Sequence, residues 1–416
     1  MRIQSDNQTQ QSFRRNVSFM FVMYWGILVL WQNIGGSENR GAFDIVVKIG
    51  LLVYFVSFYL RRAKTLNLKI FIVFMLAISL IITALGEPQF TLGIIVSYVY
   101  PILLLSMVYG FGDTFEINQS QLVSFCNCII AITLYAAVYA VVFCWDQFAG
   151  ALSVSSAYGS ELSSFFISNF EYGMYLVASL ISCLLCLTLT PNITKIKKIY
   201  YYIAIAIFAS NLILTFSRTN ILGCALFLLI YGMLGNKKRR TWIIIISVII
   251  LLIIVCIPSI RSFVFNIVFK ENNMSGRDVL FAEGFRYYKS GTLIEKFFGH
   301  GINETRTHFD YYYNHGSVHN GYLQVLLYYG IVGIVSLIGF MIAQVIASIK
   351  RISKDRYMGV TILGLNLVAA LVMVTTTAIA FTSSIDSFFL TMFFILVPKY
   401  IRNSIDNEHF YSERKV

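Results

Sequence analysis

The chain has 416 residues, of which 57% are hydrophobic and 12% charged, with a formal net charge of +12. Soluble domains carry about 25% charged residues, so this composition, with a mean hydropathy of +0.72, excludes a water-solvated surface over most of the length. The positive charge sits between apolar blocks, where it meets anionic lipid headgroups, and it points to no nucleic-acid partner.

Lipid offers no water to backbone N–H and C=O groups, so a spanning segment is a helix or a barrel strand. Barrel strands alternate polar and apolar residues; the run Trp242 to Ile257 does not alternate and reads as helix. Blocks long enough to cross a bilayer fall near 17–34, 42–60, 68–85, 91–109, 122–144, 170–190, 199–216, 219–235, 241–258, 320–348, 359–381 and 384–399. Arg2, Arg14 and Arg15 precede Val17 as in a signal sequence. No small-residue cleavage site follows, so the first block is expected to remain as a helix.

Basic residues orient this map. With the N-terminus in the cytoplasm, most of the 32 Lys and Arg fall in inner segments, for example Lys237, Lys238, Arg239 and Arg240, while 86–90 and 145–169 hold none. The expected fold is all-α and polytopic, with about twelve transmembrane helices and both termini cytoplasmic. Its parts are a nine-helix portion over 1–258, a large outer loop over 259–319, a three-helix portion over 320–400 and a cytoplasmic tail over 401–416. No repeat relates the two halves, which weighs against repeat-built transporters.

All seven cysteines fall in predicted spans, so no disulfide framework is implied. Cys183 and Cys186 form a C-x-x-C, a spacing used for metals or redox chemistry, but they lie mid-helix without a second pair and read as small apolar residues. In the outer loop Phe281, Phe285 and Tyr288 recur at i, i+4, i+7, which predicts a short amphipathic helix lying on the membrane surface. Tyr311, Tyr312 and Tyr313 suit the same interface. Gly330 and Gly333 on the next helix suggest close helix packing.

Charges at membrane depth are costly and usually functional. Arg218 separates two apolar runs. It reads either as a grip on a lipid phosphate or as a snorkelling arginine at a helix end. Four of the five histidines, His300, His308, His315 and His319, lie in the loop segment. The first three suit an ordinary polar loop. His319 immediately precedes an apolar helix, where free N–H groups favour anions and a neutral imidazole. It is either a hydroxyl-activating base or part of a helix cap.

The ordered set of motifs resembles a known family. His319-Asn320-Gly321-Tyr322-Leu323-Gln324, followed by Gly330-Ile331-Val332-Gly333, looks like the H-N signature of the O-antigen ligase and Wzy-type polysaccharide polymerase superfamily. Ser217-Arg218-Thr219 with Gly223, Ser275-Gly276-Arg277 and Phe298-Gly299-His300-Gly301 resemble its other motifs in the same order. The resemblance covers roughly 170–400; Phe281 stands where the family often has Trp.

The resemblance implies a GT-C-like, lipid-linked glycosyltransferase working at the outer face of the bacterial inner membrane. Its donor and acceptor would be oligosaccharides on undecaprenyl pyrophosphate, with no nucleotide sugar, metal or other cofactor. Arg218 and Arg277 would hold the pyrophosphate and His319 would be the base, giving inversion at the anomeric carbon. Arg286, Asn320 and Tyr322 would contact substrate, and Glu171 is an alternative base. The first expectation is a polymerase of O-antigen, capsule or exopolysaccharide repeat units, with a flippase and a chain-length regulator as partners. The second is the ligase that moves the polymer onto lipid A core. A lipid-sugar transporter and a peptidoglycan polymerase are readings from other classes.

Overall fold

The computed structural model describes residues 119–153, 161–166, 168–190, 193–235, 240–241, 277–313 and 317–377, with isolated positions at 49, 50, 81, 85, 98, 101, 390, 391, 393 and 394. The expected spans at 17–34, 42–60, 68–85, 91–109, 241–258 and 384–399 lie almost wholly outside the described residues. Among the described residues the protein is all-α, and five helices are long and apolar enough to cross a membrane. The chain is therefore an all-α polytopic membrane protein.

In chain order the helices are α1 (Gln119–Phe143), α2 (Trp145–Ser153), α3 (Asn169–Leu189), α4 (Lys195–Leu214), α5 (Arg218–Met233), α6 (Arg277–Ser290), α7 (Leu293–Phe298), α8 (Ile302–Tyr313), α9 (Gly321–Ile352) and α10 (Arg356–Thr375). The helix α2, in what the sequence suggested was a plain connection, was not anticipated. Among the described helices, two form the interior. Helix α3 packs on α1, α4 and α5, and α10 packs on α5 and α9; both are buried nearly all round. The others turn apolar stripes outward. On α9 the exposed residues Val335, Ile338, Ile342, Ile346 and Ile349 recur every three or four positions and form one face toward lipid.

Lipid tails are as apolar as the side chains, so helix association rests on close packing and interhelical hydrogen bonds. Ser179 donates to Thr133 Oγ1 at 2.7 Å, Tyr172 to Asn211 Oδ1 at 3.0 Å and Tyr201 to Asn127 Oδ1 at 2.8 Å. These tie α1, α3 and α4 together. The opposite end of the bundle from Arg218 carries the basic residues Lys350, Arg351 and Arg356, and Arg356 Nε donates to the Leu234 carbonyl at the end of α5.

Helix α9 is too long for its partner. Its 32 residues would extend about 48 Å if straight, whereas the 20 residues of α10 extend about 30 Å. Yet both ends of α9 meet α10: a Cβ on Gly359 would lie 2.6 Å from Ile352 N, and Asn320 Nδ2 donates to the Val374 carbonyl at 2.9 Å. A break at Gly330 (φ 64, ψ −161) absorbs the excess by turning residues 321–329 aside. The expected close helix packing holds at Gly330, at a break rather than along a regular helix face; at Gly333 a Cβ would meet only Tyr329 of the same helix. A Cβ at Gly330 would collide with the Phe297 carbonyl oxygen, and one at Gly299 (φ 91) with that of Tyr328. The two glycines let the end of α7 cross the break with backbones in contact, and His300 N–H donates to the Leu327 carbonyl at 2.8 Å.

Over residues 277–313 the loop is thus folded. Its amphipathic helix exists as α6, but the buried positions are Leu280, Glu283 and Gly284. Phe285, expected on the apolar face, is exposed. The reason is that α6 packs on protein: a Cβ on Gly284 would lie 2.7 Å from Leu323 Cδ2 and 3.3 Å from Val318, and Leu280, Phe309, Val318, Leu323 and Leu327 form a small core. Buried Glu283 is paired with Arg286 at 2.6 Å and His308 at 3.2 Å. Burial pushes its pKa up, but hydrogen bonds from Arg286 and His308 outweigh this and hold it below the usual carboxylate value.

Two outcomes follow. Gly330→Ala is expected to lower the thermal midpoint sharply or abolish folding, because it combines a backbone clash with a positive φ. Gly339→Ala on the same helix, where nothing lies within 4 Å, is expected to be neutral or to stabilise by up to about 1 kcal/mol. Equal effects in a detergent melting assay contradict the account. A depressed carboxyl contributes stability above its unfolded pKa of about 4.3 and loses it as the pH falls further. Hydrogen exchange in α6 and α8 should therefore speed up below that pH in the wild type, and the step should vanish in Glu283→Gln.

Candidate active site at the end of α10

The last carbonyls of a helix have no partner within it and carry the negative end of its dipole. At the end of α10 they are met by three other chain segments. Arg277 Nη1 donates to the Thr375 carbonyl at 3.1 Å, and Asn320 Nδ2 to that of Val374. Thr219 and Thr375 hydroxyls lie 2.8 Å apart. The first residues of α5, α6 and α9 are thereby gathered at one point. The start of α3 joins them, since Asn220 Nδ2 donates to the Phe170 carbonyl at 2.8 Å and Asn169 Nδ2 to that of Thr215 at 2.9 Å. A Cβ on Gly173 would meet Asn220 Nδ2, so only glycine permits this approach. Four helix N-termini, each with a positive dipole end, converge there.

The turns entering α5 and α9 share an unusual backbone. Phe216 (φ 49) precedes the N-cap Ser217, and His319 (φ 52) precedes the N-cap Asn320. A non-glycine residue in this region costs about 1–3 kcal/mol and persists where its surroundings over-determine it. Around His319 they do. Val318 is fully buried and its N–H donates to the buried Gln324 Oε1 at 3.0 Å. Asn320 Oδ1 accepts from Leu323 N–H at 2.9 Å, a helix cap, and the Tyr322 hydroxyl donates to the Ala370 carbonyl at 3.1 Å. The half-buried His319 is held at a turn whose every neighbour is pinned.

Two arginines, Arg218 and Arg277, and the carboxylate side chain of Glu171 share this end. Burial lowers the Arg277 pKa, and the nearby Arg218 lowers it further, so two guanidiniums repel one another across this end. An anion between them relieves that repulsion and matches the fork geometry of each.

Of the residues singled out in the sequence, Arg218, Arg277, His319, Asn320, Tyr322 and Glu171 fall at this end. Asn320 and Tyr322 are engaged with α10 as described, and Glu171 lies in the first turn of α3, half-buried. Arg286 is not brought here. It lies nine residues beyond Arg277, about 13.5 Å along α6, and pairs with Glu283. His300 and His308 belong to a loop cluster around Tyr287. His315 lies outside the described residues. Sequence reasoning missed Thr219, Asn220 and the carbonyls of Val374 and Thr375. The run Thr375-Thr376-Thr377 closing an apolar block was the available signal for a polar helix end.

Residues 202–338 match the family model described as O-antigen ligase. No curated protein matches the chain. The matched stretch runs from α4 through the break in α9 and contains Arg218, Arg277 and His319; over that third of its length this membrane protein is similar to the O-antigen ligase family.

Proposed function

We propose that the chain is a glycosyltransferase that extends a polysaccharide on a lipid carrier, joining undecaprenyl-pyrophosphate-linked repeat units at the outer face of the cytoplasmic membrane. The observation that carries this is the meeting of Arg218, Arg277 and the His319 turn at one helix end. A lipid diphosphate leaving group needs fixed cations and helix N-termini, and a sugar hydroxyl needs a base. In the step proposed, His319 takes the proton of an acceptor hydroxyl as its oxygen attacks the anomeric carbon. The bond from that carbon to the pyrophosphate oxygen breaks, and the electron pair leaves with the pyrophosphate between Arg218 and Arg277. Attack opposite the leaving group inverts the anomeric configuration. General base catalysis contributes about 10²–10⁴-fold and preorganised charge a comparable factor.

Arg277 has two tasks in this reading. One N–H group secures α10, and its remaining donors face the diphosphate; a guanidinium has five. Glu171 lies at the right end to hold the acceptor or to serve as base in place of His319. Arg286 is left out, since Glu283 holds it.

In proteoliposomes with a lipid-linked repeat unit, His319→Ala is expected to lower transfer by about 10²–10⁴-fold while the protein melts normally. Arg286→Ala is expected to leave transfer within a few-fold of wild type. A fully active His319→Ala overturns the assignment. In cells lacking the chain, a surface-polysaccharide ladder cut to one unit, restored by wild type and not by His319→Ala, is expected. Long chains stranded on the lipid carrier would instead assign the ligase reaction.

Tyr322→Phe separates position from chemistry. With its hydroxyl engaged by the Ala370 carbonyl, its removal is expected to cost about 1 kcal/mol of stability and to leave the transfer rate at saturating substrate unchanged. A rate collapse without loss of stability would place that hydroxyl on the substrate.

A further inference from the structure

The folded loop contains a second group of chemically capable side chains. Glu295 on α7, His300 in the turn after it and Glu304 on α8 each bring one ligand atom to within 4.8 Å of the others. The His300 side chain is 3% exposed. Its Nε2 is buried without a hydrogen-bond partner, and its Nδ1 is 3.9 Å from Glu295 Oε1, beyond hydrogen-bond length. A buried imidazole in this condition is costly unless something coordinates it.

The surroundings aim this ring rather than satisfy it. Tyr287 stacks on its face at 4.2 Å and stacks on His308 with its other face at 4.0 Å. The Tyr287 hydroxyl donates to Glu304 Oε1 at 3.0 Å, an outer contact of the kind that orients a ligating carboxylate. Glu295 uses Oε2 in the capping box with Thr292, which turns Oε1 toward His300. The backbone of His300 is pinned to Leu327, and Ile302 N–H donates to Tyr98 at 3.0 Å.

We propose that Glu295, His300 and Glu304 form a divalent transition-metal site, with Zn²⁺ the best match. Imidazole nitrogen and carboxylate oxygen are both zinc ligand types, and three protein ligands leave a fourth tetrahedral position to water. Metal–ligand bonds of about 2.0–2.2 Å set ligand atoms some 3.3 Å apart, so binding draws the two half-buried carboxylates in toward the fixed imidazole. The ion joins α7, the glycine turn and α8 into one rigid corner seated on the break in α9. Leu327 is seven residues from Asn320, about 10 Å along the helix, so the ion is a clamp on the loop and takes no part in transfer.

The test uses the full chain purified in detergent, stripped with chelator, exposed to Zn²⁺ and dialysed. The double variant Glu295→Gln/Glu304→Gln keeps the capping box, which accepts glutamine, and an oxygen for Tyr287. Wild type should retain one equivalent of zinc by elemental mass spectrometry, with a raised melting midpoint. The variant should melt like metal-free wild type and bind at least about tenfold more weakly. Co²⁺ should give visible absorption of a low-symmetry nitrogen–oxygen site in wild type alone. Wild type retaining no zinc, or a variant with undiminished affinity and midpoint shift, overturns the proposal.

Discussion

The unpaired carbonyls at the end of α10 are the constraint on which the site depends. A helix inside a membrane protein cannot leave them bare, because neither lipid nor packed side chains offer donors. Arg277 and Asn320 supply the donors and come from segments far apart in the chain. Two opposite needs meet there: a negative helix end wants cations and amides, and those same groups sit at the positive starts of other helices. The result is a concentration of N–H groups and guanidiniums at one place.

The broken α9 is the second element of the arrangement. An unbroken helix would carry His319 some 18 Å past the end of α10 by its length alone. The turn at Gly330 lays residues 321–329 aside and returns the His319 turn to the α10 end. The end of α7 crosses it through a second glycine, backbone against backbone. The loop therefore acts as the buttress that keeps the broken helix in place, and its small core continues into Val318, next to His319. Loop and membrane bundle are one mechanical unit around the site.

Strain and repulsion mark the same location. Phe216 and His319 occupy left-handed backbone at the entries to α5 and α9, and half-buried Arg277 feels the charge of Arg218. Elsewhere, buried Glu283 is paired with Arg286 and His308. Backbone strain and like-charge repulsion coming together at helix entries is the pattern expected where geometry serves binding.

Much of this was legible in the residues. Apolar blocks of spanning length must be helices in lipid, so α1, α3, α4, α9 and α10 follow from composition and length. The polar breaks at Ser217 and Ser317–Asn320 mark two of the helix starts, and the ordered motifs pointed to Arg218, Arg277 and His319. What only the tertiary structure decided depends on partners distant in sequence. The acceptor for Arg277 is a backbone carbonyl, which has no residue signature. The face that α6 buries was set by Leu323 and Val318 rather than by its own periodicity. Arg286 was drawn away by Glu283 one turn earlier, and Gly330 became a break because another glycine, 31 positions before it, let a second backbone approach. Periodicity in a sequence reports what one element needs; which neighbour meets that need is settled only when the elements pack.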